Sequence, residues 1–182
     1  MIFRSLDILF SFCGLVILSP FFLIIFLLGI FDTGSPLFIQ KRVGIEKKPF
    51  NLIKFRTMSI ETESVASHLA SSANITKLGK VLRKTKLDEL PQLINVLLGS
   101  MSFVGPRPNL YNQLDLINHR SIKGVYKVRP GITGLAQINN IDMSTPELLA
   151  KIDSEMIQDM SLVNYFKYIM KTVIGSGFGD AI

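Results

Sequence analysis

Cysteine, histidine and tryptophan are scarce in this chain of 182 residues, which has one cysteine, two histidines and no tryptophan. The single Cys13 excludes a disulfide framework and a thiolate metal site. His68 and His119 have no partners at ligand spacing, so we interpret them as solvated side chains and not as metal ligands. The sequence also has no internal repeat, no P-loop or dinucleotide-binding glycine loop and no Ser-His-Asp arrangement.

Charged residues are almost missing from the first 40 positions, which hold Arg4 against Asp7 and Asp32, a net charge of −1. Positions 41–182 carry the remaining 19 basic and 12 acidic residues, so their net charge is +7 and that of the whole chain is +6. A basic body behind an apolar leader predicts anionic partners such as lipid head groups, nucleotides or phosphates. We expect no nucleic-acid partner, because no recognition motif supports one and the leader opposes it.

The longest uncharged run, Ile8 to Phe31, has 24 residues, enough for a helix of about 36 Å that we expect in a bilayer. A secretory signal has a shorter apolar core, so that interpretation is weaker. Ser19 and Pro20 interrupt the run, because proline removes a backbone hydrogen bond and the serine hydroxyl can satisfy a freed carbonyl. The residues alone leave open a kinked spanning helix and a re-entrant helix. The cations after Phe31 predict a cytoplasmic flank.

Two strands are predicted after the leader, at about Leu37 to Val43 and Phe50 to Met58, joined by a turn rich in lysine, glycine and proline. Alternation along the second strand puts Lys54 and Arg56 on one face, about 7 Å apart. This pair fits either a solvated basic edge or an anion clamp. The polar segment 59–74 is interpreted as a mobile loop or a marginal helix, with a lid as one option.

Three later segments have the apolar spacing of amphipathic helices. They are Thr76 to Lys86, which is basic, Leu90 to Met101, with Gly99 as a predicted C-cap, and Ser161 to Ile174. The stripe of the second segment fits burial in a core or contact with a membrane interface. The predicted fold class is α+β and mostly helical, with a β-hairpin.

Two adjacent carboxylates, Asp88 and Glu89, stand between a cationic cluster and the second of these helices. They fit a helix start near Asp88, where carboxylates complement the dipole, or neutralisation of the neighbouring cations. They also fit phosphoryl chemistry, in which one carboxylate attacks phosphorus and its neighbour holds Mg²⁺. Arg83, Arg107 and Arg129 could spread the charge of a transferring phosphoryl group. With the apolar leader, this set points toward phosphoryl chemistry at a membrane surface.

Five segments together resemble the monotopic phosphoglycosyl transferases, also called the bacterial sugar transferase family. They are FIQKRVG, KFRTM, LDELPQLINVLLGSMSFVGPRP, VRPGITGLAQIN and the leader broken at Ser19-Pro20, and the resemblance runs from about Phe3 to Val173. It implies a monotopic membrane protein with a re-entrant helix at 1–34. It also implies a catalytic domain at 35–182, on the cytoplasmic face of the bacterial inner membrane, with amphipathic helices in the lipid interface.

The resemblance implies transfer of a sugar-1-phosphate from a UDP-sugar to polyprenol (undecaprenyl) phosphate, with release of UMP, as the first membrane step of bacterial glycoconjugate synthesis. Asp88 matches the nucleophile that forms a phosphosugar-aspartyl intermediate in a ping-pong reaction. Glu89 matches its Mg²⁺-associated partner, and both carboxylates are candidate ligands of the Mg²⁺ cofactor. The candidate phosphate-binding residues are Arg83, Arg107 and Arg129, followed by Lys54 and Arg56.

Two positions depart from the family's pattern. Asn140 follows Asn139 where an Asn-Gly pair is usual, and Tyr165 stands near a usual aspartate, so no role is transferred to it. The sugar, the glycan pathway, contact with downstream glycosyltransferases and the oligomeric state, a homodimer included, stay open. A catalytically silent scaffold at the membrane surface is the alternative function, against which the intact Asp88-Glu89 pair argues.

Overall fold

The computed structural model describes residues 2–62 and 74–175, which form a mostly helical α+β structure with two small sheets. Its helices are α1 Ile2–Ile17, α2 Ser19–Thr33, α3 Lys77–Thr85, α4 Gln92–Leu98, α5 Leu114–Ile122, α6 Leu135–Ile138, α7 Pro146–Gln158 and α8 Leu162–Val173. The strands are β1 Leu37–Val43, β2 Pro49–Phe55, β3 Ser102–Val104 and β4 Gly131–Thr133. The predicted loop at 59–74 lies mostly outside the described residues, and so does His68.

The apolar leader folds into α1 and α2, which meet at Leu18 with a bend of 63°. The bend falls at the predicted Ser19-Pro20 break, because Pro20 has no N–H to continue the helix. Ser19 Oγ donates to the freed carbonyl of Val16 at 2.8 Å. In the part of the chain that the structure describes, no single helix has the length and hydropathy to cross a bilayer, whereas this bent pair does. A re-entrant course through the membrane stays a prediction.

Two charged residues attach the start of α1 to the body of the chain. Arg4 donates from both Nη atoms to the carbonyls of Val96 and Leu97, at 2.6 and 2.9 Å, and so caps the C-terminal end of α4. Asp7 is buried, and its Oδ1 accepts three hydrogen bonds of 2.9–3.0 Å. The three donors are the Ser102 hydroxyl, the Phe103 amide and the Tyr165 hydroxyl. Tyr165 therefore holds α1 in place.

The predicted hairpin is confirmed, with β1 bounded as predicted and β2 ending at Phe55 instead of Met58. The two strands are antiparallel, with Gln40 opposite Leu52. Beyond β2 the Arg56 amide donates to the Pro36 carbonyl, just before β1, and Met58 pairs with Ile75, ahead of α3. The hairpin is thereby tied to α3, the helix that leads to the two adjacent carboxylates.

The helices α3 and α4 have the predicted end signals, and α4 buries part of its apolar stripe together with polar side chains. Thr76 caps α3 by accepting the Gly79 amide at 2.9 Å, and Gly99 ends α4 with φ 89°. Leu93 of the stripe is buried and Leu98 is exposed, while Asn95, which lies outside the stripe, is buried. The Asn95 amide donates to the Asn51 carbonyl at 2.7 Å and its oxygen accepts the Ile53 amide at 3.0 Å. These two bonds hold the side of α4 that carries Asn95 against β2.

The C-terminal half surrounds a short parallel pairing of β3 with β4, in which Ser102 lies opposite Gly131. The predicted third amphipathic helix is confirmed as α8, which Ser161 caps by accepting the Asn164 amide at 3.2 Å. It buries Tyr165 and Tyr168 against the body. Its other face exposes apolar side chains, namely Leu162, Val163, Phe166, Met170 and Val173.

Candidate functional site

The two adjacent carboxylates lie in a tight connection between α3 and α4. Lys86 adopts a left-handed conformation, φ 58°, which ends α3, and Leu87–Glu89 form one 3₁₀ turn. The helix α4 begins only after Pro91, so the predicted helix start near Asp88 is wrong by one turn. Asp88 is buried, with a relative exposure of 3%, and lies beside the partly exposed Glu89.

A cleft borders Glu89 on the side of β2. Glu89 Oε1 accepts hydrogen bonds from Lys54 Nζ at 3.3 Å and from Arg107 Nη2 at 3.1 Å. The side chains of Lys54 and Glu89 are only 9% and 11% exposed, so water screens their interaction weakly. The complete lining is Arg42, Leu52, Lys54, Glu89, Gln92, Arg107, Pro108, Gly131 and Ile132. Its three cations outnumber its one carboxylate, and the cleft therefore favours an anion.

The main chain around Arg107 is held from several sides. Arg120 Nη1 donates to the Arg107 carbonyl at 2.9 Å, and Arg42 Nη1 donates to the Pro108 carbonyl at 3.1 Å. Gly105 and Gly131 lie back to back, so close that a Cβ on either would collide with the other segment. The two proline-containing segments can therefore touch, and Arg107 has a fixed position beside Glu89.

Arg120 itself is part of a buried ion pair between α5 and α7. Its Nε and Nη2 donate to Asp153 Oδ2 at 3.0 and 2.7 Å, and the two side chains are 1% and 0% exposed. Burial raises the pKa of Asp153, and the attraction of Arg120 opposes that rise. Arg120 also donates to Asn109 Oδ1 at 3.0 Å, and Tyr126 donates to the same oxygen. This network joins two helices to the segment that carries Arg107.

The other predicted phosphate-binding residues lie outside the cleft lining. Arg83 donates from Nε to Thr57 Oγ1 at 2.9 Å. Arg56 was expected beside Lys54, but it follows the end of β2, donates to the Ser35 carbonyl at 2.9 Å and lies over the Phe38 ring. Lys54 lines the cleft and Arg56 does not, and the anion clamp of this pair stays a prediction.

Arg129 is also separated from Glu89. Its Nε donates to the Gly99 carbonyl at 2.7 Å, beyond the C-terminal end of α4. Arg4 caps the same end, so both arginines lie where the helix dipole favours positive charge. Arg129 lines a second cavity, which shares no lining residue with the cleft at Glu89.

Two polar residues of the cleft were not predicted as site residues from the sequence. Arg42 and Gln92 both line it and both are buried. The signal for Arg42 was its alternation with Gln40 along β1, since both polar side chains face inward while Ile39 is 59% exposed. A strand with its polar side inward indicates a polar interior, and such an interior is typical of a binding site.

Sequence comparison gives an independent assignment. The model of the bacterial sugar transferase family matches residues 1–177. The sugar transferase EpsL of Bacillus subtilis is 42% identical over 141 residues, which is 77% of this chain and 69% of EpsL. The exopolysaccharide production protein ExoY of Rhizobium meliloti is 34% identical over 188 residues, which is 93% of this chain and 83% of ExoY.

A third relative is named for its reaction. The UDP-glucose:undecaprenyl-phosphate glucose-1-phosphate transferase of Klebsiella pneumoniae is 39% identical over 168 residues, which is 88% of this chain but 36% of the relative. The family match covers almost the whole sequence, and it includes both the bent leader and the segments that form the cleft. The chain belongs to the bacterial sugar transferase family.

Proposed function

We propose that this protein transfers a sugar-1-phosphate from a UDP-sugar to undecaprenyl phosphate and releases UMP. The observation that carries the proposal is the cleft in which Lys54 and Arg107 both bind Glu89, next to Asp88. Excess positive charge beside two carboxylates suits a diphosphate that must be bound and then attacked. The names of the Klebsiella transferase and of ExoY support a lipid-linked glycan as the product.

In the proposed reaction, a carboxylate oxygen of Asp88 attacks the phosphorus that bears the sugar. The bond from this phosphorus to the bridging oxygen of the diphosphate breaks, and UMP leaves with that oxygen and its electron pair. A phosphate oxygen of undecaprenyl phosphate then attacks the same phosphorus and displaces the Asp88 carboxylate. Asp88 is buried and the cleft has room for about one water molecule, about 10 Å³, so donor binding must open this region.

Lys54, Arg107 and Arg42 supply the positive charge for the diphosphate. Their positions are fixed before substrate arrives, since Glu89 binds two of them and the Pro108 carbonyl binds the third. Fixed donors stabilise charge that develops on the phosphate oxygens without having to reorganise. Arg83, in the last turn of α3, is a further candidate for this role.

The donor set fits Mg²⁺, which proteins commonly hold with one or two carboxylates together with substrate phosphate oxygens. Asp88 and Glu89 would hold the ion, and in the described ranges the protein contacts of Glu89 use Oε1, which leaves Oε2 for a metal. No group of three or more metal-binding side chains comes together within residues 2–62 and 74–175, so the donor phosphates must complete the set. Bound Mg²⁺ would offset the negative charge of the diphosphate.

We further propose that α1 and α2 enter and leave the cytoplasmic face of the inner membrane. Both ends of the leader attach to the same body, since Arg4 binds α4 and α2 leads directly into β1. A straight spanning helix would separate these attachments by about 30 Å of hydrocarbon. The exposed apolar face of α8 supports contact with the same lipid surface.

The test is UMP release by the protein in nanodiscs, with a panel of UDP-sugars, undecaprenyl phosphate and Mg²⁺. Asp88→Asn should reduce release to background, whereas Asp115→Asn, an exposed aspartate on α5, serves as the matched control. With donor alone, the wild-type protein should gain the mass of one phosphosugar and Asp88→Asn should not. Full release by Asp88→Asn would contradict the mechanism. A folded, membrane-bound protein that is silent with every donor would favour the scaffold function.

A further inference from the structure

A second cavity, of about 240 Å³, lies between the start of α1, the end of α7 and the edge of β3. Its volume is enough for a phosphate group and several carbon atoms of an attached chain. The residues that carry the argument are Phe3, Arg4, Lys127, Arg129, Met156 and Met160. None of its lining residues belongs to the cleft at Glu89, so it is a separate site.

One side of this cavity is cationic. Arg4 binds the α4 carbonyls with its guanidinium, whereas the hydrogen bond of Arg129 within residues 2–62 and 74–175 is from Nε to the Gly99 carbonyl. Lys127 is exposed, and in the described part of the chain neither Lys127 nor Arg129 forms an ion pair with a carboxylate. The one carboxylate in the lining, Asp7, already accepts three hydrogen bonds. Three cations against this one satisfied carboxylate leave a site with a net charge of +2.

The opposite side of the cavity is apolar and adjoins the surface that we assign to the membrane. Met156 of α7 and Met160, two residues beyond this helix, line it, and Phe3 stacks on Tyr165 at a ring distance of 5.4 Å. The next residue, Phe166, belongs to the exposed apolar face of α8. The cavity and that exposed face are therefore joined through adjacent residues of α8, Tyr165 and Phe166.

We propose that this cavity binds the phosphodiester head group of an anionic phospholipid from the surrounding bilayer. Lys127 and Arg129 bind the phosphate, and the upper part of one acyl chain packs on Phe3, Met156 and Met160. The acceptor lipid is a poorer fit, because its phosphate must reach Asp88 and no residue of the cleft at Glu89 lines this cavity. The inference rests on the membrane contact proposed above, but not on catalysis.

The experiment is native mass spectrometry of the full chain, released from detergent micelles that contain phosphatidylglycerol. We expect one phosphatidylglycerol retained per chain. Lys127→Gln should weaken retention about five-fold, the effect of one basic residue at a lipid phosphate surface. Lys123→Gln is the matched control, an exposed lysine four positions earlier that does not line the cavity. Ile157→Trp fills the cavity without changing charge and should also reduce retention.

Diacylglycerol with the same chains and glycerol phosphate without chains identify what is bound. The inference is overturned if diacylglycerol is retained as well as phosphatidylglycerol, if glycerol phosphate alone binds equally well, or if the two lysine variants lose retention equally. UMP release by the same samples separates the two proposals. Retention without release would contradict the enzyme alone, and release without retention would contradict the lipid site alone.

Discussion

The Arg120 guanidinium binds the Asp153 carboxylate in the interior and, through Nη1, the main-chain carbonyl of Arg107, which reaches the cleft. The main chain at Arg107 is thus held by Arg120, a buried charged residue of α5. Such a pair is costly to bury, but once buried it is also costly to break, because the remaining charge is left without its partner. This relationship makes stability and activity depend on the same two side chains.

Asp153→Asn should destabilise the protein by about 3 kcal/mol, because it leaves the Arg120 charge uncompensated in the interior. For a chain of this size that corresponds to a decrease in Tm of about 6–12 °C, measured by thermal unfolding in detergent. The matched control on the same helix is Lys151→Gln, which removes an exposed pair with Glu155 at 4.0 Å and should change stability by less than about 0.5 kcal/mol. Equal effects of the two variants would contradict the importance of burial.

Lys54→Gln should mainly reduce activity and Arg56→Gln should mainly reduce stability, although the two residues are only two positions apart in the sequence. Lys54 contacts Glu89 in the cleft, so we expect kcat/KM for UMP release to fall about 100-fold. Arg56 binds the Ser35 carbonyl, so its variant should mainly lose about 1 kcal/mol of stability. Steady-state kinetics and Tm of both variants test this difference. A larger loss of kcat/KM in Arg56→Gln would show that the cleft has been assigned wrongly.

Local signals in the sequence predicted most of the fold. Proline and serine at the leader break, Gly99 after α4 and the turn residues between β1 and β2 act on the nearest residues of the chain, and each has the expected effect. The burial of Asn95 on α4 was not predictable in this way. Asn95 is buried because it bonds to Asn51 and Ile53 of β2, which lie 44 and 42 residues earlier. A helical pattern in the sequence carries no information about such a distant contact.

The sequence was sufficient to predict which types of residue form the site, but it predicted only part of their spatial arrangement. The sequence identified Glu89, Lys54 and Arg107, which the structure brings together. Arg129 was expected beside them because arginines suit phosphates, but a chemical preference carries no information about distance. Arg42 is not among the predicted site residues, because the alternation along β1 does not show which side of the strand faces the interior.

The backbone conformation of Asn140 accounts for one departure from the family's pattern, the asparagine in place of glycine. It has φ 58°, a left-handed conformation that glycine adopts freely and asparagine tolerates better than most residues. Asn140→Gly should therefore change the free energy of unfolding by less than about 0.5 kcal/mol, whereas Asn140→Val should cost at least about 1 kcal/mol. Denaturant unfolding of both variants measures the difference, and a stable valine variant would exclude a conformational reason for the asparagine.

Tyr165 should make stability sensitive to alkaline pH. Burial and the nearby Asp7 raise the pKa of Tyr165 in the folded state, so ionisation of this phenol is easier after unfolding. Its contribution to stability is thus complete below about pH 10, where the unfolded tyrosine stays neutral, and is lost as the pH rises further. Tyr165→Phe should cost about 1 kcal/mol at pH 7 and lose less stability than the wild type between pH 9 and 11. If the free energies of unfolding of the variant and the wild type decreased equally between pH 9 and 11, this assignment would be contradicted.

The course of the leader can be tested by cysteine labelling in a Cys13→Ala background. Ser5→Cys and Asp32→Cys introduce thiols at exposed positions near the start of α1 and the end of α2. A re-entrant leader brings both thiols to the cytoplasmic face, so a membrane-impermeant maleimide should label them in inside-out vesicles and not in intact spheroplasts. Lys123→Cys, on the body of the protein, provides the cytoplasmic reference.

The lengths of α1 and α2, the two helices of the leader, are the reason for expecting this result. The helices α1 and α2 have 16 and 15 residues, about 24 and 22 Å each, so neither arm alone crosses a hydrocarbon core of about 30 Å. Arg4 holds the start of α1 on the end of α4, and that contact cannot form if the body and residue 4 lie on opposite sides of the membrane. Labelling of Ser5→Cys in intact spheroplasts would therefore contradict both the re-entrant course and the cap on α4.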